Sequence, residues 1–298
     1  TQPAWLSPQL RSPPLWAALA LVALVAVALW GVSSTGSNGR RHSRPSADPG
    51  DAGTVLVAAI HYAGQDASLI ERRCEPTDVS CGMIALVKLA AGEGARLVVM
   101  PEYGLQLTKP ALAPARSATP ATNPQRSPEA PTVVFSKLAR QLDLYLIVGL
   151  LTTEGDSFHN SQIAFGPDGE VVGKHHKVVL FADERHALDP GEGVSVFDTP
   201  FGRVGMLICA DLYGSPQMHD HLVNELGAEI VVVSAQWTVP RAVNWQAAFA
   251  RDWGVHVVAA SSATGEGRGG GIFHPSGRAL AIDETGEPTV TLAQIIVH

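Results

Sequence analysis

Basic residues are in the minority in this 298-residue chain. Lysine and arginine together number 21, aspartate and glutamate number 28, and the formal net charge is −7. No stretch of the sequence interleaves basic and aromatic residues in the way that a nucleic-acid-binding surface requires. The composition therefore argues against nucleic acid as a partner, and we expect none.

Cysteine is scarce as well, with three in the whole chain. The 11 histidines group closely only at His175/His176 and His219/His221, and neither group has the cysteine pairs of a structural zinc site. We interpret both groups as ordinary surface or loop histidines and predict no metal.

The cysteines allow two interpretations. Cys74 and Cys81 lie seven residues apart, and Cys209 stands alone. One disulfide with one free reactive thiol is typical of a protein outside the cytoplasm. Three unrelated thiols would fit the same spacing, and the sequence leaves both interpretations open.

Charged residues are missing from one long apolar stretch near the start. Residues 15–32 form an 18-residue run without a charge, which as a helix would span about 27 Å, close to the thickness of a bilayer core. Trp16 and Trp30 lie near its two ends, where interfacial anchors are found. A cleaved signal peptide would have a shorter core and a small-residue cleavage site. We predict an N-terminal segment at 1–14 and an uncleaved transmembrane helix or signal anchor at 15–32.

The next segment lacks the residues that build a core. Residues 33–53 contain no Val, Ile, Leu, Met or aromatic side chain, which predicts a flexible linker. The folded domain is expected at 54–298. Arg40, Arg41 and Arg44 in the linker favour the cytoplasmic side by the positive-inside rule.

In residues 54–298 the pattern alternates between strands and helices, which predicts an α/β domain. The segments "GARLVVMPE" (94–102) and "GAEIVVVSA" (227–235) repeat one pattern of helix end, buried strand and polar break. Ligands of such sheets collect beyond the carboxyl ends of the strands, which is where Glu102 and Cys209 fall.

Cys209 closes the apolar run in "GMLICADLYG", and a cysteine in that place is usually a buried core residue. A cysteine nucleophile needs a base and a nearby cation. Glu102 after "LVVMP" and Lys177 in "GKHHKVVLF" are the candidates. Each is weak evidence alone, but the ordered set of Glu, Lys and Cys in these contexts favours catalysis. Asp211 is expected to form structural hydrogen bonds.

This ordered set resembles the nitrilase superfamily of carbon–nitrogen hydrolases over nearly all of residues 54–298. "VVMPEYGL", "GKHHKVVLF" and "VGMLICADL" are similar to the three segments that carry the superfamily's Glu-Lys-Cys triad. The resemblance implies an α-β-β-α sandwich, preceded here by the predicted transmembrane helix. It implies Glu102 as general base, Lys177 rather than Lys174 as the catalytic lysine, and Cys209 as nucleophile. It also implies Glu184 in "FADERHALDPG" as a supporting glutamate.

The implied reaction is hydrolysis of a small-molecule amide through a thioester on the cysteine, without metal or organic cofactor. Lys177, whose charge is expected to lower the thiol's pKa, and a backbone N–H near Ala210 would stabilise the oxyanion. An N-acyltransferase that uses the same triad and a non-catalytic binding protein that keeps the fold are the alternatives. A homodimer is also possible.

Within the superfamily, "FDTPFGRVGMLICADL", "AFARDWGVHVVAAS" and "GGGIFHP" resemble the vanin and biotinidase branch. The sequence departs from that branch at Tyr103, where an acidic residue is usual, and at Val179, where a polar one is usual. Because that branch is secreted or surface-attached, we expect a membrane-anchored protein whose catalytic domain faces the periplasm or the cell exterior.

Overall fold

The computed structural model describes residues 53–62, 67–75, 78–104, 131–237, 242–262 and 269–297. The predicted N-terminal segment, the predicted span at 15–32 and all of the predicted linker except Gly53 lie outside these residues. Gly53 already belongs to the first strand, one residue earlier than predicted. Within the described residues, no helix is long and apolar enough to cross a membrane.

The described strands form two six-stranded sheets. The first sheet has the order β12-β1-β2-β3-β4-β5. Its strands are β1 (Gly53–His61), β2 (Leu97–Val99), β3 (Tyr145–Glu154), β4 (Ser157–Phe165), β5 (Val171–His176) and β12 (Thr289–Val297). The second has the order β11-β10-β9-β8-β7-β6. Its strands are β6 (Ser195–Thr199), β7 (Gly202–Ile208), β8 (Ile230–Ala235), β9 (His256–Ser261), β10 (Gly271–Phe273) and β11 (Ala279–Ile282).

Each sheet has a parallel centre and antiparallel flanks. Strands β1, β2 and β3 pair in parallel in the first sheet, and β7, β8 and β9 do so in the second. All residues of β2, β8 and β9 are buried, which explains their nearly continuous apolar sequences. Strands β4 and β5 form an antiparallel hairpin around Asp168.

In the part of the chain that the structure describes, five short or medium α-helices accompany the sheets: α1 (Val79–Gly92), α2 (Pro131–Leu142), α3 (Glu184–Ala187), α4 (Pro216–Asp220) and α5 (Ala242–Trp253). Asp78 caps α1 by accepting a hydrogen bond from the backbone N–H of Cys81. Ser215 caps α4, and Pro216 occupies its first turn. After α4 the chain continues in a π-helical turn, His221–Glu225.

Three apolar cores hold four layers together. Between the sheets, side chains such as Val57, Val99 and Val232 are fully buried. Helices α1 and α2 pack on the outer face of the first sheet, and α5 packs on the outer face of the second. The predicted α-β-β-α sandwich is therefore confirmed.

Cys74 and Cys81 form a disulfide, while Cys209 is a free thiol. The bond ties the segment before α1 to the first turn of that helix. Of the two interpretations of the cysteines, the structure shows the pair with an odd thiol.

We expect reduction of this disulfide to destabilise the domain. Closing a loop of this length removes unfolded-state entropy worth about 2.5 kcal/mol, or about 5–10 °C in the melting temperature of a domain of this size. Thermal unfolding with and without reductant measures the effect. A Cys74→Ser/Cys81→Ser variant serves as the control and should no longer respond to reductant. Equal melting temperatures for the oxidised and reduced wild-type protein would contradict the prediction.

Candidate active site

The predicted catalytic residues leave the ends of three strands and meet in one place. Glu102 follows β2, Lys177 directly follows β5, and Cys209 directly follows β7. Glu184, in the first turn of α3, joins them. Glu102 is 3% exposed, and Lys177 and Glu184 are each 1% exposed, so these charges are removed from water.

The lysine ammonium lies between the two carboxylates. Lys177 Nζ donates to Glu102 Oε1 at 2.8 Å and to both oxygens of Glu184, at 2.9 and 2.7 Å. Burial lowers the pKa of Lys177, but the negative charges of Glu102, Cys209 and Glu184 raise it by more, so its net pKa lies above the ordinary value. The side chain is therefore a fixed cation.

Glu184 is held as a carboxylate for the complementary reason. Burial raises its pKa, but the charge of Lys177 and hydrogen bonds from Lys177, Tyr103 and the backbone of Phe181 lower it by more, and the net shift is downward. The predicted supporting glutamate thus lies in direct contact with the lysine, opposite Glu102.

Two further donors complete the cluster, and the sequence analysis gave neither of them a role. Asn160 Nδ2 donates to Glu102 Oε1 at 2.7 Å and to Glu184 Oε1 at 3.1 Å. The Tyr103 hydroxyl donates to Glu184 Oε1 at 2.5 Å. In the sequence, the one indication of a role for Asn160 is that this polar amide lies within a mostly buried strand. Tyr103 was noted only as a departure from a related branch.

Cys209 opens a 3₁₀ turn, Cys209–Tyr213, rather than ending the strand. Its φ angle is 47°, in the left-handed region that non-glycine residues rarely adopt. Tyr103, next to Glu102, has a φ of 53°. Such conformations persist where the surrounding structure enforces them, and they concentrate at functional sites.

Burial and neighbouring charges act on the thiol's pKa in opposite directions. Burial and the charge of Glu102 raise the pKa of Cys209, Lys177 lowers it, and the net shift is upward. Lys177 thus acts in the predicted direction, but burial and Glu102 outweigh it. Because this shift favours the protonated thiol, the cysteine needs a base during the reaction.

Asp211 is fully buried and fixes the lysine segment against the cysteine segment. Its Oδ1 accepts hydrogen bonds from the backbone N–H groups of Val178 and Val179, at 3.0 and 2.7 Å. Its Oδ2 accepts from the Ile208 N–H at 3.0 Å and lies 2.9 Å from His175 Nε2. This geometry agrees with the structural role predicted for Asp211.

One glycine makes room for the turn that carries Glu102. A Cβ on Gly149, in β3, would lie 2.4 Å from the Pro101 carbonyl oxygen and 3.0 Å from the Glu102 Cα. A side chain there would displace the backbone that presents the predicted base, so the close approach requires glycine.

An aromatic group lies beside the thiol. The Tyr213 ring is 4.8 Å from the Trp245 ring and 6.3 Å from the Trp237 ring between centroids. Tyr213 ends the 3₁₀ turn that Cys209 opens, and burial raises the pKa of its hydroxyl. Trp237 and Trp245 bound a stretch expected to shape the pocket. Residues 238–241 between them and residues 109–130 of the predicted proline-rich loop lie outside the described residues.

Comparisons with known proteins identify the family of the chain. The family model described as carbon-nitrogen hydrolase matches residues 70–294, inside the predicted domain. A nitrilase from Pyrococcus abyssi is 30% identical over 226 residues, covering 72% of this chain and 81% of that protein. The omega-amidase NIT2 of Danio rerio is 34% identical over 142 residues, covering 43% of this chain and 47% of its own length. The match therefore spans about half of that omega-amidase.

Solved structures with the same fold include Nit3 of Saccharomyces cerevisiae, described as a member of the nitrilase superfamily. Its TM-score is 0.66 at 24% identity, covering 82% of this chain and 90% of that one. An amidase from Nesterenkonia AN1 gives a TM-score of 0.68 at 18% identity, covering 81% and 90%.

The chain belongs to the carbon–nitrogen hydrolase family, within the nitrilase superfamily. This membership confirms the prediction of an enzyme, an amidase of that superfamily.

We predict that Asp211→Asn destabilises the domain by about 2–4 kcal/mol, because an amide cannot accept all the hydrogen bonds that the buried carboxylate accepts. Amide turnover should fall with it. Urea unfolding measures the change in stability. Asp198→Asn is the matched control, because it removes an exposed pair with Arg203 and should cost at most about 1 kcal/mol. Similar losses in both variants would show that Asp211 has no special role.

Proposed function

We propose that this protein hydrolyses the carbon–nitrogen bond of a small-molecule amide through a thioester on Cys209. Glu102 is the general base and acid, Lys177 stabilises the oxyanion, and Glu184 supports the lysine. One observation carries the proposal: a lysine held between two buried carboxylates lies beside a free thiol on a left-handed turn.

In the first step, Glu102 takes the proton of the Cys209 thiol as sulfur attacks the amide carbonyl carbon. The resulting oxyanion accepts hydrogen bonds from the Lys177 ammonium and from the backbone N–H near Ala210. Preorganised donors of this kind contribute about 3–4 kcal/mol each in other enzymes.

The tetrahedral intermediate then collapses. Its C–N bond breaks, Glu102 gives its proton to the leaving nitrogen, and a thioester remains on Cys209. In the second half, Glu102 takes a proton from water, and the hydroxide attacks the thioester carbonyl carbon. The C–S bond then breaks, and Glu102 returns the proton to the leaving sulfur, which restores the thiol and the carboxylate. Overall, the amide and water become a carboxylic acid and an amine, and every step uses only groups of this chain.

The positions of Glu184 and Asn160 explain how one glutamate can serve as a base beside a lysine. Glu184 contributes the second negative charge and two acceptor oxygens, so the ammonium is not bound by Glu102 alone. Asn160 donates to both carboxylates and keeps their oxygens at fixed positions. Glu102 therefore keeps its orientation while its protonation changes.

The names of the relatives support an amide substrate. They include a nitrilase and omega-amidases, and one neighbour in fold is an amidase with the acetamide moiety of fluoroacetamide added covalently at its active-site cysteine. The amides expected from the vanin and biotinidase resemblance, those of pantetheine and biotin, belong in the same substrate panel. The aromatic group of Tyr213, Trp237 and Trp245 favours an acyl portion with an apolar face.

The disulfide supports a location outside the cytoplasm, because such bonds persist in oxidising compartments. We place the domain in the periplasm or at the cell exterior on this basis. The anchor at 15–32 and the homodimer remain predictions.

The acyl-enzyme is the direct test of the mechanism. Incubating the wild-type protein with the amide panel should add the mass of the acyl group to Cys209, detected by mass spectrometry of its peptide. Cys209→Ala and Cys209→Ser should fold, form no adduct and lose turnover. Turnover at the wild-type rate by Cys209→Ala would contradict the mechanism. Adding an amine acceptor separates hydrolysis from acyl transfer, since a transferase would form the new amide in preference to the free acid.

The two lysines provide a matched pair. Lys177→Ala should lower kcat by a factor of about 10²–10³ or more, because it removes the proposed oxyanion donor. Lys174→Ala should change kcat little, since Lys174 is partly exposed and pairs with Glu154. Circular dichroism checks that both variants are folded. Equal effects on kcat would mean that the catalytic lysine is misassigned.

The raised thiol pKa generates a pH prediction. Glu102→Gln removes a negative charge that raises the pKa of Cys209, so the thiol should titrate at lower pH in this variant than in the wild-type protein. The ultraviolet absorbance of the thiolate, followed against pH with Cys209→Ala as the blank, measures the shift. An unchanged or raised thiol pKa would show that Glu102 does not act electrostatically on Cys209.

A further inference from the structure

Three potential metal ligands meet near the ends of neighbouring strands. Glu154 ends β3, His159 lies on β4 and His176 ends β5. One ligand atom from each lies within 4.8 Å of the others. His159 and His176 immediately precede Asn160 and Lys177, and successive side chains of a strand point to opposite faces. The cluster is therefore separate from the catalytic site, on the other face of the same strands.

The hydrogen bonds of His159 orient it as a ligand. Its Nδ1 lies 2.9 Å from the carbonyl oxygen of Asp189, and since a carbonyl only accepts, Nδ1 carries the hydrogen. In the neutral ring, Nε2 then holds the free lone pair. A hydrogen bond from the second ring nitrogen to a carbonyl is the arrangement that fixes most metal-binding histidines.

His176 is held in a similar way and faces the carboxylate. Its Nδ1 lies 2.7 Å from Ser161 Oγ, and its Nε2 lies 3.2 Å from Glu154 Oε1. The rings of His159 and His176 stack with their centroids 4.1 Å apart. Two ring nitrogens and one carboxylate oxygen thus converge at the edge of a cleft that residues 190–195 also line.

We propose that Glu154, His159 and His176 bind a divalent transition-metal ion of the zinc class. Two imidazoles and a carboxylate are a common set of three protein ligands for Zn²⁺, and the cleft gives water access to a fourth position. Ligand atoms around a tetrahedral zinc lie about 3.4 Å apart at bond lengths near 2.1 Å. His176 Nε2 and Glu154 Oε1, 3.2 Å apart, already have nearly that spacing, and Glu154, whose side chain is 46% exposed, has the freedom to adjust.

The prediction of no metal misses this set because Glu154, His159 and His176 are apart along the chain and lie on three different strands. The structure separates His175 from His176: His175 contacts Asp211, while His176 faces Glu154. The ligand set arises from strand pairing, which brings His159 close to His176.

Lys174 competes with the metal in this arrangement. Its ammonium pairs with Glu154 and so occupies the carboxylate. Its side chain is 44% exposed and can leave the pair at low cost. Removing this amine should therefore strengthen metal binding, an effect that a purely structural histidine pair would not produce.

The test is titration of the untagged protein with zinc chloride, followed by calorimetry. The Cys209→Ala background is used because it removes the free thiol as a competing zinc ligand. We expect one equivalent of zinc to bind. His159→Gln and His176→Gln should each weaken binding by about tenfold or more, and Lys174→Met should tighten it. His221→Gln is the matched control, since it removes an exposed histidine–glutamate pair elsewhere and should leave the affinity unchanged.

Absence of saturable zinc binding would overturn the proposal. An equal loss of affinity in His221→Gln and His159→Gln would also overturn it, because binding would then be non-specific. If a histidine variant fails to fold by circular dichroism, Lys174→Met decides: unchanged or weaker zinc affinity in that variant would exclude Glu154 as a ligand. The readout is binding alone, so its outcome is independent of the proposed amidase mechanism.

Discussion

The ion pair of Lys177 with Glu102 and Glu184 is the interaction on which the rest of the site depends. Three charged groups are taken out of water here, and charges so buried are stable only when each is paired and hydrogen-bonded. The surrounding donors follow from this requirement. Asn160 and Tyr103 supply hydrogen bonds that the two carboxylates would otherwise have taken from solvent. The cluster is therefore a connected set in which each charge has a defined partner.

The sandwich provides the place where such a cluster can be built. Glu102 follows a strand of one sheet and Cys209 follows a strand of the other, so the site forms across the seam between the sheets. The seam is joined by hydrogen bonds: the Glu102 N–H donates to the Ala235 carbonyl at 3.3 Å, and Ser234 Oγ donates to the Met100 carbonyl at 2.7 Å. Asp211 adds the link between the lysine and cysteine segments. Relative movement of the sheets would separate the base from the nucleophile, and these contacts oppose it.

Local patterns in the sequence predicted much of this architecture. The segments 94–102 and 227–235, which share one pattern, contain β2 and β8. Their ends meet, because the backbone N–H of Glu102 donates to the carbonyl oxygen of Ala235. Glu102, Lys177 and Cys209 each lie in a recognisable segment, whereas the choice of Lys177 over Lys174 and the role of Glu184 come from the resemblance to the superfamily. Asn160 was missed because its role depends on which side chains face it across the fold. The π-helical turn after α4 is not evident from the sequence. A helix that widens by about one residue per turn over so short a stretch keeps nearly the same apolar pattern.

The sign of the thiol's pKa shift could not be predicted from residue identities. A lysine next to a cysteine favours the thiolate, but here burial and Glu102 act in the opposite direction and are stronger. The raised pKa that results bears on how a disulfide and a free thiol coexist in one domain. The thiolate is the form that is oxidised and that attacks disulfides. A cysteine kept as a thiol therefore reacts slowly with oxidants and with disulfides. Under the proposed mechanism, Cys209 becomes strongly nucleophilic only as Glu102 removes its proton during attack on the substrate. The electrostatic arrangement that is unfavourable for a resting nucleophile would thus protect it in the oxidising compartment proposed for this domain.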